Sequence, residues 1–166
     1  MNLMIRKMTL DDVPVVIQLD KISFSLPWPE RSFRFELTDN PASRCWVAEV
    51  DHRIAGMIVA WMLADEVHIA TIATHPEFRR QGIASRLLSH TLFHARQEGA
   101  RSSLLEVRES NLAAQEMYRR FGYEVSGRRR RYYRDNDEDA ILMNLDSLSL
   151  ESMSNDCSAT TGREQR

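Results

Sequence analysis

"HPEFRRQGIASRLL" (His75–Leu88) is the stretch whose reading decides the fold. The run that leads into it, "EVHIATIAT", is rich in β-branched residues and reads as a strand. The run that leaves it is helical. From Gln81 to Glu98 the apolar positions Ile83, Leu87, Leu88, Leu92 and Ala95 recur at helical spacing, and Gly99 closes the helix. A strand therefore feeds a helix through a turn that carries two arginines and a glycine. Gly82 lets the backbone come close to a ligand and take dihedrals that other residues avoid. A helix that starts there offers unpaired N–H groups and a positive dipole end, which attract an anion without any side chain. Arg79 and Arg80 add charge at the mouth. The turn is neither a G-x-x-x-x-G-K-[ST] phosphate loop nor a dinucleotide G-x-G-x-x-G. A small inorganic anion needs only the cradle. A diphosphate on a long tail also needs a groove, which the strand "HIATIAT" can supply. An ordinary glycine loop with two solvated arginines is the competing reading of "RRQGIA" alone.

Upstream, "SRCWVAEV", "RIAGMIVAWML" and "EVHIATIAT" are joined by the short links "DH" and "AD", the pattern of an antiparallel meander. These strands alternate or are wholly apolar, so at least one face is covered. Before them, "LMIRKM" reads as a first strand. Thr9 or Asp11 can cap a helix through "DDVPVVIQLDKIS", with Pro14 tolerated in its first turn. "FSLPWPE" breaks that helix, and "ERSFRFELTD" starts another. Downstream come the strand "SSLLEVR", a helix in "NLAAQEMYRRFG" with Asn111 as N-cap and Gly122 as stop, and the strands "YEVSGRRRRYY" and "AILMNL". The order βααβββαβαββ predicts an α+β (mixed α/β) domain over residues 1–146. The polar, Ser-rich stretch 147–166 reads as a disordered tail.

A chain of 166 residues has room for one domain with a substantial core. A formal net charge of −2 argues against a protein that lives on nucleic acid. No apolar run approaches the roughly 20 residues of a membrane helix. "MNLMIRKMTL" lacks the apolar stretch of a secretory signal. The two cysteines, Cys45 and Cys157, are too few for a disulfide framework and fit a reducing compartment. A cytoplasmic protein with no membrane or direct nucleic-acid role is expected, as a monomer or weak dimer.

The stretch "IATHPEFRRQGIASRLL" resembles the acetyl-CoA motif of the GCN5-related N-acetyltransferases, [RQ]-x-x-G-x-[GA] after a strand, which here reads Arg79-x-x-Gly82-x-Ala84. "LEVRESNLAAQEMYRRFGYEV" and "RRRYYRDNDEDAILMNL" resemble one branch of that family, the ribosomal-protein alanine N-acetyltransferases and their N-terminal acetyltransferase relatives. The likeness spans about Leu3 to Leu145. It implies a mostly antiparallel, twisted sheet of about seven strands, splayed at strands 4 and 5 and flanked by about four helices. It also implies acetyl-CoA as co-substrate, no metal, and a protein or peptide N-terminus as acceptor, with ribosomal protein S18 the first candidate. Lysine or a small amine as acceptor, or a non-catalytic acyl-CoA-binding module, are the alternatives.

By the same resemblance the anion is the diphosphate of coenzyme A, cradled by Arg80, Gln81, Gly82, Ile83, Ala84 and Ser85 largely through backbone N–H groups. Ile72, Ala73 and Thr74 lie along the pantetheine arm, and Asn111 touches the cofactor. Glu106, at the end of "LLEVR", is the implied base, with Leu104, Leu105 and Val107 as apolar neighbours in sequence. Its competing role is a strand-end carboxylate paired with Arg108 or Arg101. Tyr118 is the implied acid for the departing thiolate, against a plain core aromatic beside Met117 and Phe121. Phe24, Pro27 and Trp28 are candidate walls for the substrate's first residues, and Tyr132 and Tyr133 resemble tyrosines that hold its backbone. Core packing and cross-strand aromatic pairing compete with those roles.

Three further features carry weaker signals. His68 sits on a strand face, where a histidine is usually structural. His90 and His94 have the i, i+4 spacing of a zinc pair, but no third ligand is evident, so a solvated face is expected. Arg128–Arg131 form a basic run, yet on a strand alternate residues point to opposite faces, and "DNDED" offsets the charge.

Overall fold

A computed structural model describes residues 1–148. Its elements run β1 (Leu3–Lys7), α1 (Val13–Ser23), α2 (Glu30–Thr38), β2 (Ser43–Val50), β3 (Arg53–Leu63), β4 (Glu66–Thr74), α3 (Ile83–Gln97), β5 (Ser102–Arg108), α4 (Leu112–Arg120), β6 (Glu124–Tyr133) and β7 (Glu138–Leu145). Short 3₁₀ turns precede α1 and follow β4. Residues 149–166 of the expected tail lie outside the described residues. Leu148, on the tail side of the expected boundary, is buried, and its N–H donates to Arg101 O at 3.0 Å.

The strands form a single sheet in the order β1-β2-β3-β4-β5-β7-β6. Every pairing is antiparallel except β4 with β5. That exception follows from the β4–α3–β5 connection, since a helical crossover returns the chain in the same direction. β3 is buried along most of its length because helices cover both faces of the sheet. On one face, Val13, Val16 and Leu19 of α1 and Phe33 of α2 pack on Val47, Met57, Val59 and Ala73. On the other, Ile83, Leu87, Leu88 and Leu92 of α3 and Met117 and Tyr118 of α4 pack on Ile58, Val67, Leu105 and Met143.

Local signals set the helix boundaries. Thr9 and Asp12 form a capping box before α1, with the Thr9 N–H donating to Asp12 Oδ2 at 2.8 Å. Asn111 caps α4 by accepting from Ala114 N at 3.2 Å. Gly99 and Gly122 take left-handed conformations just beyond α3 and α4.

Two features open the centre of the sheet. β4 and β5 are paired only from Glu66↔Ser102 to Ile69↔Leu105, so from Ala70 to Thr74 the β5-facing edge of β4 is free. A bulge in the β3–β4 pairing, where Val59 meets Thr71 but Ala60 meets Ile69, leaves Ala70 unpaired at the point where the strands part.

Candidate active site

The helix that begins beyond the free edge is held there by a glycine. A Cβ on Gly56, in β3, would stand 2.9 Å from Ala73 O, 3.0 Å from Ile83 Cγ2 and 3.1 Å from Leu87 Cδ1. No larger residue lets α3 sit this close to the sheet. Its first turn thereby comes beside the C-terminal end of β4.

The turn itself is open. Gly82 has φ 75° and no side chain caps the helix start. A Cβ built on Gly82 meets nothing within 4 Å. Arg80 also has positive φ, 62°, so strain is concentrated in the turn that presents the amides. Arg80, Gln81 and Gly82 are exposed, and Ala84 and Ser85 are half-buried. Ile83 is buried in the core, so only its backbone can face a ligand. The Arg79 guanidinium folds back, with Nε 3.4 Å from Thr74 O.

Along β4 the three expected cofactor residues diverge. Ile72 packs toward α3, Ala73 packs toward α1 and α2, and only their shared backbone edge lines the opening. Thr74 Oγ1 is buried without a partner at the end of that edge. Asn111 uses its side-chain oxygen as the α4 cap.

Glu106 lies one residue past the last β4–β5 pair, on the face that carries α1 and α2. Leu105 and Val107 point to the opposite face, so of its apolar sequence neighbours only Leu104 shares the face of the carboxylate. Its ion-pair partner is neither Arg108 nor Arg101 but Arg129, whose Nε lies 3.0 Å from Glu106 Oε1. Arg129 also sits 5.7 Å from the Tyr132 ring centroid. Tyr118 is on the buried side of α4, 5% exposed, with its ring 5.7 Å from Tyr123. Burial, aided by the nearby Tyr133 phenol, lifts its pKa well above the usual tyrosine range. Tyr133, raised to about 12 mainly by burial, also feels the Glu106 charge. It is therefore the common neighbour of Glu106 and Tyr118.

The wall continues away from Glu106 as stacked aromatics. His68 meets Trp61 edge-on at 5.4 Å, and Trp61 stacks on Trp28 at 6.5 Å. Burial pushes the His68 pKa down, against the opposing pull of Glu106. Trp28 is held from below by Asp20, a buried carboxylate that accepts the Trp28 N–H at 2.6 Å. Beyond Trp28 a cavity of about 450 Å³ is lined by Trp28, Arg31, Ser32, Phe35, Glu36 and Trp61. Of the other expected wall residues, Phe24 packs against the α1–α2 core, Pro27 is exposed, and Tyr132 is 47% exposed beside Tyr133.

Sequence reasoning missed Trp61, Asp20, Arg129 and Gly56. The parity of β3 and β4 could have paired Trp61 with His68. Nothing local marks the other three.

The weaker signals resolve differently. His90 and His94 do not form a solvated face: their rings pack 4.4 and 4.9 Å from Trp46, and burial lowers the His90 pKa to about 4. Among the described residues no group of three His, Cys, Asp or Glu side chains could hold a metal ion. The arginine run does not alternate cleanly, because β6 is irregular between Arg129 and Tyr133 and Arg131 has φ 51°. Arg128 pairs with Glu109 and Asp139 at 2.7 and 2.8 Å. No helix among the described residues is long and apolar enough to cross a membrane.

Known proteins are similar to this chain in sequence and in fold. A relative from Bacillus subtilis (strain 168), provisionally named a ribosomal protein bS18-alanine N-acetyltransferase, is 38% identical over 139 residues, covering 84% of this chain and 92% of its own. The ribosomal protein bS18-alanine N-acetyltransferase of Escherichia coli (strain K12) is 30% identical over 145 residues, covering 81% and 90%. The crystal structure of the ribosomal-protein-S18-alanine N-acetyltransferase from Escherichia coli superposes with a TM-score of 0.82 at 28% identity, covering 90% of this chain and 96% of that one. The sequence model of the Acetyltransferase (GNAT) family matches residues 13–123. The free edge of β4, the glycine-started helix beside it and these likenesses agree: the chain is an N-acetyltransferase and belongs to the Acetyltransferase (GNAT) family.

Proposed function

We propose that this enzyme transfers the acetyl group of acetyl-CoA to the N-terminal α-amine of a protein, with the alanine N-terminus of ribosomal protein S18 as the first acceptor to test. The observation that carries the reading is the opening between β4 and β5, which gathers a bare helix start, an unpaired strand edge and Glu106 around one gap. The names of the two relatives support the choice of acceptor.

The residues divide the work. Backbone N–H groups of residues 82–85, with Arg80 and Gln81 at the rim, hold the diphosphate of the co-substrate. The free β4 edge at Ile72, Ala73 and Thr74 takes the pantetheine amides as an added strand. The acceptor amine enters from the side of Trp28, Tyr132 and Tyr133. Glu106 accepts its proton through water. An α-amine, with an unperturbed pKa near ~8, demands less of that base than a lysine near ~10.4. The nitrogen then attacks the thioester carbon directly in a ternary complex, the C–S bond breaks, and Tyr118 gives its proton to the thiolate. Burial raises the Tyr118 pKa, so the phenol still carries its proton near neutral pH, where the α-amine begins to lose its own. The reaction is assigned to the cytoplasm and to a monomer or weak dimer.

Mass spectrometry of alanine-starting peptides incubated with the protein and acetyl-CoA tests this. Acetylation of the free N-terminus, absent from the same peptide with a blocked α-amine and an internal lysine, is expected. Acetylation of the blocked peptide instead would move the acceptor to lysine. Coenzyme A binding without any acetylation would reduce the protein to a binding module.

A further inference from the structure

We propose that Arg108, the last residue of β5, is the positioning residue of the acceptor groove: it ties the α1–α2 loop to the β6–β7 turn and fixes the spacing between the two walls. This rests on the acceptor side assigned above. Nη2 of Arg108 donates to both carboxylate oxygens of Asp135 at 3.0 Å and to Ser25 Oγ at 3.2 Å. Nη1 donates to Glu138 Oε1 at 3.2 Å and to Asn136 Oδ1 at 3.3 Å. The guanidinium carbon lies over Tyr133, 3.9 Å from the ring centroid. The Ser25 hydroxyl donates directly to Asp135, which joins two segments 110 residues apart. The arginine is itself anchored from behind. Gln115 Nε2 donates to its carbonyl at 3.0 Å, and Glu138 Oε2 accepts the Ser110 N–H at 2.6 Å.

An ordinary exposed ion pair contributes little to stability. This one differs in geometry. Its side chain is 21% exposed, and both terminal nitrogens of the fork are hydrogen-bonded while the guanidinium carbon lies over an aromatic ring. The fold does not depend on it, because β6 and β7 already pair through their own ladder and α1 packs on its own core. What Arg108 controls is the distance between Trp28 on one wall and Tyr133 on the other. Lysine cannot replace it, since a point charge lacks both the fork and the stacking face.

The test uses the full chain and compares Arg108→Ala, Arg108→Lys and Ser25→Ala with the unsubstituted protein. Each is assayed for the KM of an alanine-starting peptide and for coenzyme A affinity by calorimetry. Arg108→Ala should raise the peptide KM by about tenfold or more, as expected for a misplaced reactant. Coenzyme A affinity should stay within about twofold, because its cradle is untouched. Arg108→Lys should fail to rescue, and Ser25→Ala should give a smaller rise of the same kind. Adding Asp135→Asn to Arg108→Ala should add little, because the two act as one unit. Digestion with chymotrypsin reads the clasp without any activity: cleavage of the Phe24–Ser25 bond should quicken in Arg108→Ala. An unchanged peptide KM, or equal losses for peptide and coenzyme A, overturns the proposal, as does full rescue by lysine. If the unsubstituted protein acetylates no N-terminus, the acceptor assignment fails, while faster chymotryptic cleavage would still establish the clasp and unchanged cleavage would refute it.

Discussion

The two faces of the sheet meet at the same opening but are built on different principles. The α3–α4 face is hydrocarbon closed over one long helix, and the part of it that reaches the opening is a contiguous turn, residues 79–85. The α1–α2 face ends, at the opening, in a mosaic. Trp28, Trp61, His68, Arg108, Arg129 and Asp135 come from six separate stretches and touch only in the folded chain. The comparison teaches that a site that grips through backbone can be written in a few adjacent residues. A site that recognises through side chains is written in the tertiary structure.

That division predicts separable defects, and chemistry should show the largest. Glu106→Gln and Tyr118→Phe remove the proposed proton transfers and leave the residues proposed to hold coenzyme A in place. Turnover should fall on the order of 10²- to 10⁴-fold, with coenzyme A affinity nearly constant by calorimetry. Equal losses of turnover and cofactor affinity in Tyr118→Phe would mean that the phenol holds the cofactor rather than protonating it.

The next effect breaks the cofactor side alone. Gly56→Ala puts a methyl 2.9 Å from a backbone oxygen that cannot swing away, and against Ile83 and Leu87. Overpacking of this kind costs about 1–3 kcal/mol, and here it pushes the start of α3 off β4. Denaturant titration should show the lost stability. Calorimetry should show weakened coenzyme A binding, while peptide KM at saturating acetyl-CoA stays near its original value.

Trp61→Ala is the counterpart on the acceptor side. It removes the ring between Trp28 and His68 and the hydrogen bond from Trp61 Nε1 to Glu36 Oε2 at 3.0 Å. A half-exposed aromatic lost from a binding wall should raise the peptide KM by about five- to thirtyfold, the effect of 1–2 kcal/mol. Coenzyme A binding should not move. A parallel loss of coenzyme A affinity would show that the two sides are one cooperative unit, and the contrast between the faces would collapse.

The same contrast explains what could be read from the chain. The order of elements along the chain, the β4–α3–β5 crossover and the α3 boundaries follow from periodicity and from glycines at the ends, so they were legible. So was the open helix start, because Gly82 and its neighbours are contiguous. Glu106 could be located, but not its partner: Arg129 is 23 residues away and reaches it only because β7 lies between β5 and β6. The clasp at Arg108 was equally hidden, since "DNDED" reads as solvated charge until Asp135 is seen beside Ser25. His90 and His94 were misread for a related reason. Helical spacing shows that two side chains are neighbours but not what lies opposite, and here it is Trp46 of β2.

That histidine pair gives the smallest effect and tests whether the α3 face is as closed as its packing suggests. His90 Nε2 is buried without a partner, and burial together with His94 lowers its pKa to about 4. In the unfolded chain it titrates near ~6.5. Above that pH neither state binds the proton, and the histidine contributes no pH dependence. As pH falls below it, the unfolded chain takes the proton first, so stability declines until the folded protein also protonates near pH 4. His90→Phe keeps a ring against Trp46 and removes the titrating nitrogen. The drop in melting temperature between about pH 7.5 and about pH 5 should therefore be smaller in the variant than in the original protein. Parallel declines would mean that water reaches His90 and that the packing of α3 on the sheet is not sealed by hydrocarbon at this point.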